Sequence, residues 1–351
     1  MAGPLARWRR RTHWEFWPAW IFYTPVALNC LRLAAKHGGL ALPTCANPGM
    51  HLGGMIGESK HAVLDALRAA HPEFVPESFL LAGPDRAEFL GRLVAEGRLR
   101  YPFVLKPDVA QRGSGFKLAG TAADSADYLH KVPVPVVAQR YVPGPHEAGV
   151  FYYRFPHEER GHILGITDKV FPSVTGDGRR TLEQLVTADP RACAIADTYL
   201  RRFRTRRGEI LPEGESLRLV EAGNHIQGCI FRDGSHLQTD ALAASIDRIS
   251  RSLDGFHIGR YDVRYESPED LMAGHNFQVL ELNGASSEAT NAYDARHTVR
   301  QAYGILFRQW ELVFAIGAAN HQRGRQPDGV LDVWREWRKY RRCSACHPAA
   351  D

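Results

Sequence analysis

Cysteine and methionine are scarce in this chain, six and four respectively in 351 residues. Scattered cysteines at that density do not make a secreted disulfide scaffold, so a reducing, cytoplasmic setting is expected. A long uninterrupted apolar run is also lacking. The N-terminal stretch from Ala19 to Ala35 contains Pro25 and Arg32, and His13 and Glu15 precede it. It is too short and too broken to span a bilayer, and no small-residue cleavage site follows it. Nor is there a large excess of one charge: 44 Lys and Arg against 39 Asp and Glu leave +5. With no motif of base-stacking aromatics beside it, that balance gives no reason to expect a nucleic-acid partner. No internal repeat is visible.

What is present reads as an ordinary globular chain, with 44% hydrophobic and 24% charged residues. Its length favours two or three lobes around one site over a single compact domain. Apolar spacing at Val63, Leu64 and Leu67 predicts a helix over Glu58–Ala70, and prolines 72 and 76 make the following HPEFVP a loop. Strands are predicted at Tyr101–Pro107 and Val134–Arg140, with a helix at about Asp124–Lys131 between them. Further on come a helix at about Ala241–Leu253, strands at Gly259–Tyr265 and Phe277–Asn283 joined by a polar loop, and a helix at about Thr298–Ala319. Mixed elements of this kind predict α+β or α/β lobes.

The most informative stretch is GRYDVRYESPEDLMAGHNFQVLELNG. Strand alternation puts Arg260, Asp262 and Arg264 on one face, and Glu281 and Asn283 on one face of the next strand. Antiparallel pairing about the loop sets Asp262 opposite Glu281. Two carboxylates and an amide oxygen are hard donors suited to Mg²⁺, although a half-exposed strand also shows such alternating polar residues. The rest of the Glu281 strand is apolar, however, and a carboxylate inside such a run needs a partner. At the other end, Lys106 closes a buried-looking strand ahead of the glycine loop QRGSGF, whose backbone N–H groups could wrap phosphates.

In their order along the chain these segments resemble the ATP-grasp superfamily, and within it the D-alanine–D-alanine ligases and the cyanophycin synthetase-like ligases. GESKHAVLDAL resembles the first nucleotide lysine at a helix start, Lys60. YPFVLKPDVAQRGSGF resembles the second lysine strand and the phosphate-covering loop, which implies Lys106, Arg112, Gly113, Ser114 and Gly115 as nucleotide contacts. VVAQRYVPGPHEAGVFYYR resembles the adenine-reading hinge, with Gln139, Tyr141 and Val142 there and Glu147 on the ribose. GRYDVR and LELNG supply an oxyanion arginine, Arg260, and the metal ligands Asp262, Glu281 and Asn283. TDKVFPSVTGDGRRTLEQLV resembles a loop and capped helix of the cyanophycin synthetase-like chains, with Lys169 a further phosphate contact and Thr181 and Gln184 fitting a capping box.

The resemblance covers residues 57 to 320 and implies an α+β fold in which two α/β lobes clamp ATP with one or two Mg²⁺ ions, Mn²⁺ being an alternative. It divides the chain into a Trp/Arg-rich segment 1–56, a small lobe 57–142, a large lobe 143–320 and a basic tail 321–351. The implied activity joins a carboxylate to an amine through an acylphosphate, with amino-acid or peptide-like substrates; phosphotransfer, ligation to a non-amine, or ATP binding without chemistry are the alternatives. Tyr152, Tyr153, Arg154, Asn224 and His225 fall on the implied acceptor side. The chain departs from the pattern at Gln139-Arg140, where the family has Glu-Lys, at His146-Glu147, where the register of the ribose carboxylate is open by one residue, and at GASSEAT, which lacks the Pro-Gly turn.

Both ends pair tryptophan with arginine: Trp8, Trp14, Trp17 and Trp20 at one, Trp334 and Trp337 at the other. Such segments suit a peripheral contact with the inner membrane face. The other reading has the N-terminal aromatics packing on the core in place of a small preceding domain. Cys343 and Cys346-His347 have the letters of a haem attachment site, but that chemistry requires export, and no signal is present.

Overall fold

The computed structural model describes Trp14, residues 17–110, 113–189, 192–220, Gly223 and residues 228–344. Helix α1 (Ala19–His37) runs through Pro25 and stops at Gly38, whose φ of 89° turns its N–H back to the Ala34 carbonyl. Helix α2 (Lys60–Ala70) starts two residues later than the spacing predicts, because Ser59 accepts from the Ala62 N–H and so becomes its N-cap.

The first sheet comprises β1 (Ser78–Leu81), β2 (Phe103–Pro107), β3 (Lys117–Ala119) and β4 (Val136–Arg140), in the order β1-β4-β2-β3 and antiparallel throughout. Helices α3 (Arg86–Ala95) and α4 (Ala122–Lys131) cover one face, burying Leu90, Leu93 and Leu129 against Phe79, Phe103, Leu105 and Ala138. Strand alternation then sends Val104 and Lys106 to the opposite face, which lines a cleft. Helix α4 begins at a capping box of Thr121 and Asp124.

The second sheet contains β5 (His146–Tyr153), β6 (His162–Val170), β9 (Ile230–Asp233), β10 (Ile258–Tyr265) and β11 (Phe277–Asn283), in the order β11-β10-β5-β6-β9. Between β6 and β9 the chain forms a small unit: the ribbon of β7 (Ser173–Thr175) and β8 (Ser216–Arg218), with α5 (Leu182–Ala188) and α6 (Ala196–Arg202) around its own core. The capping box of Thr181 and Gln184 starts α5 as expected. Helix α7 (Asp240–Arg251) and the short α8 (Pro268–Met272) pack on one face of the large sheet, where Val150, Tyr261 and Val263 meet Leu242, Ile246 and Leu271. Leu64 and Leu67 of α2 join this same core. The polar loop expected between β10 and β11 contains α8, N-capped by the Ser267 hydroxyl.

The long helix α9 (Val299–Gln322) packs Leu312, Val313 and Ile316 against Phe151 and Ile258, and presents Ala302 and Leu306 to Phe22 and Val26 of α1. Of the N-terminal aromatics, Trp14, Phe22 and Tyr23 pack on the core, while Trp17 and Trp20 are exposed and Trp8 lies outside the described residues. Burying a side chain such as Phe22 contributes about 1.5–3 kcal/mol. The outer face of α1, with Trp20, Leu28 and Leu31, stays exposed, as do Trp334 and Trp337 on α10 (Val330–Ser344). No helix among the described residues is long and apolar enough to cross a membrane.

Candidate functional site

The two sheets face each other across a cavity of about 640 Å³. Three lysines enter it from different elements. Lys106 stands on β2, held by Gln139 Oε1 at 2.9 Å and the Leu280 carbonyl at 3.1 Å. Lys60 opens α2, where Asp108 fixes the helix start by accepting from the His61 N–H at 2.8 Å and the Ser59 hydroxyl at 3.0 Å. Its ammonium bonds the Ala110 carbonyl and lies 3.1 Å from Glu281. Lys169 on β6 bridges Glu147 at 2.8 Å and Asp262 at 3.0 Å.

The carboxylates come from three neighbouring strands. Asp262 pairs in register with Glu281 across β10 and β11, as the hairpin predicts, and with Gly149 across β10 and β5. A bulge follows: Val263 pairs with Val279, which leaves Leu280 outside the ladder. That extra residue decides the site. Phe277 and Val279 lie in the core, and strict alternation would send residue 281 after them. The bulge resets the phase, so Glu281 and Asn283 line the cavity while Leu282 returns to the core. The Leu280 carbonyl accepts from Lys106 and from Gln139 Nε2 at 3.3 Å, tying the two sheets together.

Arg260 grips Asp262 through Nε at 3.0 Å and Nη2 at 3.3 Å, and its Nη1 donates to the Glu288 carbonyl at 3.0 Å. Arg264 donates to Glu147 at 2.8 Å and to the Val142 carbonyl at 3.1 Å. Burial alone would raise the Asp262 carboxyl, but Arg260 and Lys169 outweigh it and hold it at about 2. Glu281 is likewise held below its usual range: burial opposes ionisation, and the charges of Lys60 and Lys106 override it. Glu147 follows the same pattern with Lys169 and Arg264. Lys106 goes the other way. Burial lowers it to about 8, a shift that Glu281 and Asp262 only partly offset and Lys60 reinforces. Three lysines crowded into one cavity are poised for a multiply charged anion.

Lys60, Lys106, Gly113, Ser114, Gln139, Tyr141, Val142, Glu147, Lys169, Arg260, Asp262, Glu281 and Asn283 all line this cavity. Gly115 does not. At its φ of +74°, a Cβ would lie 2.7 Å from Pro107 Cγ, so glycine is required there for close packing on β2. Arg112, Asn224, His225, Trp8, Cys346 and His347 lie outside the described residues. Tyr152, Tyr153 and Arg154 are not cavity residues either. Alternation along β5 turns Tyr152 into the α7 core, where its hydroxyl bonds Asp247 at 2.8 Å, while Tyr153 packs near α9 and Arg154 bonds the Glu158 carbonyl.

The sequence reading missed Glu58, Tyr23, Glu288 and Tyr293, which also line the cavity. Glu288 stands five residues after Asn283, so an acid in the turn leaving β11 was a local signal. Tyr23 carried none, because its place depends on α1 docking some 265 residues away in sequence. Among the described residues no three His, Cys, Asp or Glu side chains converge as a ready-made metal cluster. The candidate donors are instead Asp262, Glu281 and the Asn283 amide oxygen, which line the cavity; among the described residues the buried Asn283 Nδ2 has no hydrogen-bond partner. Two carboxylates and an amide suit Mg²⁺, which takes few protein ligands and completes its shell with phosphate oxygens and water.

No protein-family model and no curated protein matches the sequence. Among solved structures, the chain is similar to ligases. D-alanine–D-alanine ligase from Bacillus anthracis is 13% identical at a TM-score of 0.42, over 76% of this chain and 69% of that one. The ATP-grasp ligase PsnB, in complex with a minimal precursor, is 15% identical at 0.38, over 72% and 60%. The bifunctional glutathione synthetase from Pasteurella multocida is 14% identical at 0.36, over 74% and 38%. The chain thus spans less than two thirds of the length of the last two. With TM-scores below 0.5, no activity is carried over from any of them.

Proposed function

We propose that this chain is an ATP-grasp enzyme that activates a carboxylate with ATP and joins it to an amine. One observation carries the reading: Lys60, Lys106 and Lys169 converge with the Asp262–Glu281 pair in a single cavity between two antiparallel sheets. Lys60 and Lys106 neutralise the phosphates, and the backbone at Gly113 and Ser114 closes over them. Gln139, Tyr141 and Val142 stand where the base is read, and Glu147 where the ribose is held. Asp262, Glu281 and Asn283 would hold one or two Mg²⁺ ions, which would supply charge neutralisation to the nucleotide. Lys169 leans on Glu147 and Asp262 and adds positive charge beside them.

In the reaction, the substrate carboxylate attacks the γ-phosphorus and releases ADP, giving an acylphosphate. A neutral amine then attacks the acyl carbon. Arg260, fixed by two bonds to Asp262, stabilises the developing oxyanion until phosphate leaves. Purified chain incubated with ATP, Mg²⁺ and pooled amino acids is expected to release ADP and form a product one water lighter than its reactants. ADP release with a phosphorylated product instead would make it a phosphotransferase, and no ATP binding would refute the reading.

The exposed Trp334 and Trp337, each under an arginine at 4.8 and 5.0 Å, support a peripheral lipid contact through α10. Flotation with anionic liposomes tests it, and a chain that stays at the bottom of the gradient refutes it.

A further inference from the structure

Beside Arg260, one carboxylate has no part in the chemistry proposed above. Glu288 Oε2 accepts from the Tyr293 hydroxyl at 2.8 Å and from the Tyr23 hydroxyl at 3.1 Å, and the two hydroxyls are 2.6 Å apart. Both phenols therefore address the same oxygen. Oε1 takes no hydrogen bond from any described residue, and Glu288 lines the cavity. The backbone of Glu288 is fixed as well, since its carbonyl accepts from Arg260 Nη1.

Aromatic rings pack beside the two phenols. Phe22 stacks on Trp14 at 5.7 Å and lies 5.7 Å from Tyr293, and all three line the cavity. Burial, reinforced by the charge of Glu288, pushes the Tyr293 hydroxyl well above the usual phenol range, so it stays a neutral donor. A carboxylate with one oxygen satisfied by phenols and the other taking no hydrogen bond from the described residues, in a cavity also lined by Trp14 and Phe22, is matched to a cation with N–H donors. An anion would meet the charge of Glu288, and an uncharged alkyl group would leave Oε1 desolvated without a donor.

We propose that Glu288, oriented by Tyr23 and Tyr293, is the subsite for a protonated amino group of the substrate, so that the enzyme selects amino-bearing compounds such as free amino acids or peptide N-termini. This inference rests on the ligase reading for the identity of the cavity. It also gives α1 a role in selectivity, because Tyr23 comes from that helix. The chemistry of the second step is untouched: a nitrogen held here as ammonium is a recognition handle, while the attacking amine must be neutral.

The test uses the full chain with Mg²⁺ and a non-hydrolysable ATP analogue, followed by thermal shift. One probe is a pool of free amino acids; the other is the same pool N-acetylated. The free pool is expected to raise Tm further and the acetylated pool not. Glu288→Gln should need at least roughly tenfold more of the free pool for half the shift, as expected for losing a charge-assisted hydrogen bond. Glu288→Asp should recover part of the loss. The shift given by the analogue alone should be unchanged in both variants, which shows that they fold and bind nucleotide. Equal effects of the two pools, no effect of either, or an unchanged response in Glu288→Gln would overturn the inference. ADP release from the wild-type chain, measured in parallel, reports on the ligase reading by itself: release that is just as amino-acid-dependent in Glu288→Gln keeps the ligase and overturns the subsite.

Discussion

At the scale of single residues the site is a balance of buried charges, and two substitutions probe it. Glu281 is the partner of Lys60 and, in the proposed reaction, a metal ligand. Glu281→Gln keeps the shape and removes the charge. Turnover should fall roughly 10²–10³-fold or more, the scale seen when one electrostatic stabiliser is lost, while circular dichroism and the denaturation midpoint stay close to wild type. Near-normal rates would end the metal assignment. Lys106 makes the second prediction. Its proton is held to about 8 by burial, so the cation is present below that pH and lost above it. A pH profile of kcat/KM for ATP, which reports the free enzyme, should therefore descend above about pH 8. Lys106→Arg keeps its charge at every accessible pH and should remove that descending limb; a limb that survives belongs to another group.

At the scale of elements, the bulge on β11 and the docking of α1 do most to shape the cavity. One unpaired residue, Leu280, rotates Glu281 and Asn283 out of the core and leaves a carbonyl for Lys106 and Gln139 to share. Helix α1 brings Phe22 and Tyr23 to the same cavity. Phe22 is 4% exposed against α9, so Phe22→Ala should cost about 3–5 kcal/mol of stability by urea denaturation. A loss under 1 kcal/mol would mean that α1 is not docked in solution. Strands β2, β4, β10 and β11 and helices α2, α4, α7 and α9 were legible in the sequence, whereas α1, β5, β6 and β9 were not read as elements. Boundaries moved by a residue or two where a cap decided them, as Ser59 does for α2 and Thr298 with Gln301 for α9. The bulge was not legible, since nothing in FQVLELN says which residue will be skipped.

For the whole molecule, the nucleotide is proposed to join the two sheets, which already share Lys106, Gln139 and the Leu280 carbonyl. A ligand bound only by the folded state stabilises it, by about 2.7 kcal/mol at a hundred times its Kd. ATP with Mg²⁺ should thus raise Tm by several degrees, and EDTA should remove a large part of that gain. A shift unaffected by EDTA would mean that the nucleotide binds without the metal, and no shift at all would remove the nucleotide from the site.

The sequence by itself determined the mixed α and β character, the Asp262–Glu281 pairing and Lys106 beside its glycine loop, while Lys60, Glu147 and Lys169 were named through the resemblance alone. The first three are matters of local pattern, set by strand alternation and glycine placement. Only the tertiary structure decided that Tyr152 serves the core, that Glu281 turns toward the cavity and that Tyr23 and Glu288 meet across some 265 residues of chain. The physical reason is the same each time. A side chain's face depends on which backbone groups pair, and its neighbours depend on which apolar surfaces bury one another; neither is written in the residues beside it.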